Sequence, residues 1–312
     1  MDLIHYPGDE RPSRWRAPVL ALGNFDGVHR GHTEILARVR RTAEERSATP
    51  VVLTFDPPPT RVLRPDTAPP VLMTLAQKLE TFEAAGMQGV AIVRFTAEMS
   101  RWEPEAFVRD VLAGWLEVAA VWVGGNFLFG RDRSGTFDVL RALGVKYGFV
   151  ADKVDPVCVG GAAVSSTRVR RLIADGRVDH AAELLGRYYF VDGEVIRGDG
   201  RGRQIGFPTA NLRTANELLP PRGVYACIAS VGGVPHPAVT NLGVRPTFQG
   251  NGADSLETHL LGVDRDLYGL NVRLYFVRRI RGEHAFESAG ALARQIEADC
   301  REAGDMLSGV SV

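Results

Sequence analysis

The apolar run Val19-Leu20-Ala21-Leu22 leads directly into Gly23-Asn24-Phe25-Asp26-Gly27-Val28-His29-Arg30-Gly31-His32. From Thr33 to Arg46, Ile35, Leu36, Val39 and Ala43 then recur at helical spacing. Such a chain has few options. It makes a buried strand, a glycine-rich loop at the strand's C-terminal mouth, and a helix whose first turn closes the loop. In open parallel α/β sheets this is where ligands bind. Glycine lets the backbone approach a ligand closely, and a helix N-terminus offers free N–H groups to a phosphate. His29 and His32 are three residues apart and share one face of a helical turn. Two imidazoles aimed at one phosphate can supply hydrogen bonds and, when protonated, charge.

The chain up to about residue 186 repeats this alternation. Strands are expected at Pro50–Phe55, Val90–Val93, Ala119–Val123 and Gly148–Val154. Helices are expected around Leu75, Leu79 and Phe82, around Phe107 to Trp115 opening near Pro104, and over Thr136–Leu143. Strands alternating with helices predict a parallel sheet. The Phe and Trp stripe on the Phe107–Trp115 helix reads as core. Asp56-Pro57-Pro58-Pro59 forms a rigid loop that cannot continue a ladder. A second glycine-rich strand mouth, Gly124-Gly125-Asn126-Phe127-Leu128-Phe129-Gly130, reads from composition as a plain turn with two core Phe.

Val157–Val164, broken by Gly160-Gly161, predicts a hairpin. It runs into Ser165-Ser166-Thr167-Arg168-Val169-Arg170-Arg171, a helix start with more hydroxyls than one N-cap needs. Ser166, Thr167, the helix N-terminus and Arg170 one turn in make a second phosphate cradle.

From Arg187 helical periodicity gives way to short, evenly spaced strands: Tyr188–Ile196, Val224–Val231, Pro237–Asn241, Leu256–Val263 and Val272–Val277. They predict a small barrel or sandwich, closed by an amphipathic helix carrying Leu292, Ile296, Cys300 and Ala303. The domain border is expected at 186/187. The loop from Gly198 to Leu212 interleaves Gly198, Gly200, Gly202 and Gly206 with Arg201 and Arg203, as a flap over phosphates, a flexible hairpin or an RNA contact would. Within Pro208-Thr209-Ala210-Asn211, a hydroxyl and an amide carbonyl two residues apart are hard oxygen ligands suited to Mg²⁺ held with ATP phosphates.

Charge and cysteine content exclude several classes. Lys+Arg and Asp+Glu both number 37, so the net charge is zero, and no basic footprint for nucleic acid appears. No apolar run approaches the roughly 20 residues that span a bilayer, and the N-terminus lacks a signal-peptide core. The 3 cysteines are isolated and form no disulfide framework or metal spacing. A reduced, cytoplasmic protein is expected, without a nucleic-acid or membrane partner; weak homo-oligomerisation stays open.

Several of these strings carry a family resemblance. His29-Arg30-Gly31-His32 resembles the H-x-G-H signature of nucleotidyltransferases, and GNFDGVHRGH resembles the bacterial bifunctional riboflavin kinase/FMN adenylyltransferase family. Residues 124–130 resemble its G-x-D/N-F-x-F-G motif, and residues 165–170 its S-S-T-x-x-R motif. Residues 198–212 resemble the riboflavin kinase signature G-x-G-R-G-x-x-x-G-F-P-T-A-N-L. Pro221–Tyr225, Thr240–Thr247 and Glu257–Leu261 are similar to further family elements around flavin and nucleotide.

The resemblance implies a Rossmann-like nucleotidyltransferase domain over 1–186 and an antiparallel β-barrel kinase domain over 187–312. It implies phosphorylation of riboflavin by ATP to FMN, then adenylylation of FMN to FAD. His29, His32 and Arg170 would act in the second step, and Glu257 would be the kinase base. Gly23, Phe25, Asp26, Gly31, Asn126, Ser166, Thr167, Gly198, Gly200, Gly202 and Arg203 would bind ATP, and Thr209 and Asn211 would hold Mg²⁺. Two departures stand out: Pro58 where the family carries His, and Gly262-Val263 where it often carries Asp-Phe. Two other readings stay open. One is a nucleotidyltransferase of this fold with another phosphate-bearing acceptor. The other is a flavin-binding regulatory protein retaining one activity.

Overall fold

The computed structural model describes residues 1–198, 200, 202, 205–244 and 254–312. The chain divides into two compact units, Met1–Ser166 and Thr167–Val312.

The first unit is a six-stranded parallel sheet. Its strands are β1 (Asp2–Tyr6), β2 (Val19–Leu22), β3 (Pro50–Phe55), β4 (Gly89–Val93), β5 (Ala120–Gly124) and β6 (Val150–Val154), in the order β1-β4-β3-β2-β5-β6. β2 and β4 are buried along their whole length, as strands covered on both faces must be. β1 was not expected from the sequence: only Ile4 of its five residues is buried, so it carries no apolar run. It pairs in parallel with β4 at the sheet edge.

Helix α1 spans Arg30–Arg46 and buries Ile35, Leu36, Val39 and Ala43, the four residues its periodicity singles out. It begins three residues earlier than expected because His29 is its N-cap. A short helix α2 (Pro59–Leu63) follows β3, with Pro58 at its N-cap. Helix α3 (Leu75–Ala84) opens on a capping box between Thr74 and Gln77. It buries Gln77, Lys78 and Phe82, not the Leu75 and Leu79 that its apolar pattern suggests. Helix α4 (Pro104–Phe107) continues as π-helical turns over Val108–Trp115, which bury Val108, Val111 and Leu112. Helix α5 (Phe137–Tyr147) is capped by Thr136 at one end and by Gly148 in the left-handed conformation at the other.

Strand order reverses at β2: the chain moves outward through β3 and β4, then returns to β2's other edge as β5. The crevice between the C-terminal ends of β2 and β5 is therefore the topological switch point. Both glycine-rich strand mouths, at Gly23 and at Gly124-Gly125, open there. The hairpin β7 (Cys158–Val159) and β8 (Ala162–Ala163) precedes helix α6 (Ser166–Ala174).

The second unit is a closed antiparallel barrel. Its strands are β9 (Tyr189–Ile196), β10 (Ala210–Thr214), β11 (Gly223–Val231), β12 (Val234–Val244), β13 (Asp254–Leu260) and β14 (Asn271–Arg281), in the order β10-β13-β12-β11-β14-β9. Closure removes free edges. Helix α7 (Val178–Leu185) packs on β14 and β9, and the last helix, α8 (Ala289–Leu307), lies on β11, β12 and β14. Under α8, Ala303 and Leu307 meet Val224, Ala226, Ile228, Val239 and Val277. Gly262 sits at φ 72° in the turn after β13.

Candidate active site

In the first unit the loop between β2 and α1 is held from several sides. The Gly23 N–H donates to the Leu53 carbonyl at 3.2 Å, fixing the loop's start against β3. Phe25 and Val28 take left-handed backbone angles, φ 48° and 36°, and so does Gly27 at 81°. For a β-branched residue such as Val28 this is an outlier, and such strain concentrates at functional sites. It persists because the surroundings impose it. Phe25 is fully buried, with its ring edge-on to Phe82 at 5.6 Å and to His32 at 5.1 Å. The Leu72 N–H donates to Asp26 Oδ1 at 2.9 Å. A Cβ on Gly27 would lie 2.6 Å from Leu72 Cδ1, so a larger residue there would have to displace that side chain.

His29 and His32 stack face to face, with ring centroids 3.7 Å apart and planes inclined by 12°. The His32 N–H donates to His29 Nδ1 at 3.4 Å. A neutral His29 ring therefore carries its proton on Nε2 and presents that N–H as a donor. His29 is only 6% exposed. Gly31 sits against it: a Cβ there would be 3.2 Å from His29 Cε1.

The second motif meets the first through Ser166, whose Oγ donates to the Asp26 carbonyl at 2.8 Å. Thr167 and Arg170 follow on the first turn of α6, three apart and so on one helix face. Asn126 is exposed in the turn closed by the Phe127 N–H to Gly124 carbonyl bond, 3.0 Å. Phe127 and Phe129 stack at 5.3 Å and pack against the core of the first unit.

Two contributors to these sites were not anticipated. Lys78 on α3 is 6% exposed, and its Nζ lies 3.4 Å from the Asn24 carbonyl. Burial pushes its ammonium below the ordinary lysine value, while Asp26 and then Asp56 act against that shift. The available signal was a lysine among the apolar positions of a helix: Leu75, Lys78, Leu79 and Phe82 fall on one stripe. The second is His259, whose Nδ1 pairs with the Pro208 carbonyl at 2.8 Å and whose ring meets Phe207 edge-on. It ties β13 to the Pro208–Asn211 segment.

In the second unit, register places the candidate kinase residues side by side. Glu257 on β13 is directly opposite Asn211 on β10 and opposite Asn241 on β12. Directly paired residues project to the same face of a sheet. The glycines of the preceding loop come close to the same residues. A Cβ on Gly198 would lie 2.2 Å from Asn211 Nδ2, and one on Gly202 would lie 2.3 Å from the Phe207 carbonyl and 3.3 Å from Thr209 Oγ1. Gly200 takes φ 68°. Arg203, together with Arg245-Pro246-Thr247, lies outside the described residues. The Thr209 hydroxyl and the Asn211 amide, backed by glycine main chain, fit a small oxygen-seeking cation such as Mg²⁺.

The FAD synthetase family model matches residues 11–168, and the riboflavin kinase family model matches residues 185–307. This chain belongs to the bifunctional riboflavin kinase/FMN adenylyltransferase family. A relative of that name from Escherichia coli K12 is 39% identical over 282 residues, 90% of each chain. One from Pseudomonas fluorescens is 39% identical over 299 residues, 96% of each, and one from Bacillus subtilis is 36% identical over 290 residues, 91% of each. A crystal structure described as a macrolide-efflux protein from Streptococcus pneumoniae superimposes over 100% of both chains with TM-score 0.89 at 26% identity. Among the described residues here, no helix is long and apolar enough to cross a membrane. For a member of the riboflavin kinase/FMN adenylyltransferase family, the parallel-sheet unit and the closed barrel are the two expected folds. The match over the barrel is what separates it from nucleotidyltransferases that take another acceptor.

Proposed function

We infer that this chain converts riboflavin to FAD in two ATP-dependent steps: a kinase over residues 187–312 and an adenylyltransferase over 1–186. What supports the reading is that the two candidate constellations belong to different compact units. One is the stacked His29–His32 pair with Ser166 bonded to Asp26. The other is Glu257 abreast of Asn211 and Asn241.

In the barrel, the ribityl 5′-hydroxyl of riboflavin attacks the γ-phosphorus of ATP. Its proton passes to Glu257, the bond from the γ-phosphorus to the bridging oxygen breaks, and ADP leaves. Thr209 and Asn211 would hold Mg²⁺, which when bound offsets charge on the phosphates. Gly198, Gly200 and Gly202 would cover the phosphates and exclude water, and the resemblance assigns Arg203 to ATP binding as well.

In the parallel-sheet unit, a phosphate oxygen of FMN attacks the α-phosphorus of a second ATP. A phosphoanhydride forms, the α–β bridge breaks, and pyrophosphate leaves. No protein nucleophile is needed, so the residues act by position and charge. The His29 Nε2–H, His32, the α1 N-terminus and Ser166 would stabilise the triphosphate as charge builds on the leaving group, and the family motif assigns Thr167 and Arg170 to the same task. Gly23, Phe25, Asp26, Gly31 and Asn126 shape the nucleotide pocket.

Assaying both half-reactions in two variants tests the assignment. H29A is expected to abolish FAD formation from FMN while leaving riboflavin phosphorylation intact, and E257Q to do the reverse. Loss of both activities in either variant, with the fold preserved, would refute separate sites.

A further inference from the structure

Lys78 is an expensive residue where it stands. An ammonium taken out of water loses solvation that a methionine of similar length would never have needed. Its surroundings explain what it does there. The Asn24 carbonyl accepts from two side chains, Lys78 Nζ at 3.4 Å and Thr54 Oγ1 at 3.2 Å. Phe82, one turn further along α3, packs edge-on against Phe25. Residues 78 and 82 share a helix face, so α3 grips consecutive parts of the strained loop with a charge and an aromatic ring. Segment 72–74, which leads into α3, holds Asp26 through the Leu72 N–H.

Charge gives a second reason. Asp26 and Asp56 are the carboxylates that act on the Lys78 ammonium. Asp26 belongs to the loop after β2, and Asp56 is exposed at the end of β3, the neighbouring strand. Both stand at the mouth where a triphosphate and a second phosphate must meet. Two uncompensated carboxylates there would repel both substrates.

We propose that Lys78 is a positioning residue of the adenylyl-transfer site: its ammonium holds the Asn24 carbonyl and offsets part of the negative charge of Asp26 and Asp56, so that ATP and FMN can occupy one strand mouth. The proposal rests on reading the His29–His32 mouth as the site of FMN adenylylation.

The test uses the full-length protein and compares wild type, K78M, D56N, K78M/D56N and H29A. For each, KM and kcat are measured for FMN to FAD with ATP, alongside riboflavin phosphorylation and thermal stability. K78M is expected to raise KM for both FMN and ATP by tenfold or more, to leave riboflavin phosphorylation within twofold, and to melt no lower than wild type. D56N, which leaves the lysine in place, is expected to shift KM for FMN the opposite way or not at all. K78M/D56N is expected to recover at least threefold over K78M. If K78M does not fold, K78R and K78Q decide: K78R, which keeps a cation, is expected to hold KM for FMN and ATP within threefold of wild type and K78Q to raise both by tenfold or more, and equal KM values in the two would overturn the proposal. FAD formation within twofold of wild type in K78M, or a double variant no better than K78M, would overturn the proposal. Unimpaired FAD formation in H29A would instead overturn the assignment of the site on which it rests.

Discussion

The Ser166 hydroxyl donates to the Asp26 carbonyl across 140 residues of sequence, at 2.8 Å. That bond joins the second phosphate motif to the first and leaves the Asp26 side chain to its partner, the Leu72 N–H. S166A removes one donor at a cost of about 1 kcal/mol. It also loosens the loop that carries both histidines. FAD formation from FMN is expected to fall by about tenfold or more in kcat/KM for ATP, with riboflavin phosphorylation unchanged. Steady-state assay of the two half-reactions checks this.

Gly27 combines φ 81° with a Cβ position 2.6 Å from Leu72 Cδ1. G27A imposes both backbone strain and a steric clash, about 1–3 kcal/mol together. The first unit of G27A is expected to unfold at lower urea concentration than wild type, and FAD formation to fall with it. The barrel's kinase activity is expected to be lost at the same urea concentration as in wild type. Parallel denaturation and activity curves show whether the two losses coincide.

Asn211 is buried, paired in register with Glu257 and covered by the Gly198 main chain. If its amide oxygen helps hold Mg²⁺, N211A should raise the Mg²⁺ concentration giving half-maximal FMN formation by about tenfold, a loss near 1.4 kcal/mol. Chelation of divalent cations should stop riboflavin phosphorylation in the wild type. Adenylylation of FMN by N211A should keep the wild-type Mg²⁺ response. A Mg²⁺ titration of each half-reaction measures all three.

The barrel core contains Cys227, whose thiol burial pushes up from 9.0 to about 12. Tyr225, also desolvated, rises from 10.0 to about 12. In the unfolded chain both groups ionise at lower pH than in the fold, so the unfolded state binds fewer protons and gains on the native one as pH rises. Their contribution is complete below about pH 9 and is lost on the way to pH 12. Unfolding free energy of the wild type should therefore decline over that range. C227A should show a shallower slope in urea titrations, whatever its absolute stability.

Much of this architecture is legible in local pattern. The strand–glycine loop–helix at residues 19–46 can be read because a buried parallel strand is a continuous apolar run and helix α1 shows its buried face every three to four residues. Other elements hide. β1 buries one residue and has no pattern to show. β10, Ala210–Thr214, reads as loop because Asn211 and Arg213 interrupt it and the Pro208-Thr209 approach looks like a turn. Yet it is the strand that brings Asn211 to Glu257.

The sequence by itself determined a parallel-sheet part, a second part of short strands that could close as a barrel or a sandwich, and which residue types could handle phosphate, because each follows from periodicity or spacing within a few residues. Only the tertiary structure decided that Lys78 reaches the Asn24 carbonyl 54 residues away and that Glu257 stands between Asn211 and Asn241. Those neighbours are set by strand register, barrel closure and the packing of α3 on a strained loop. These are long-range consequences of burying apolar surface, and no window of sequence contains them.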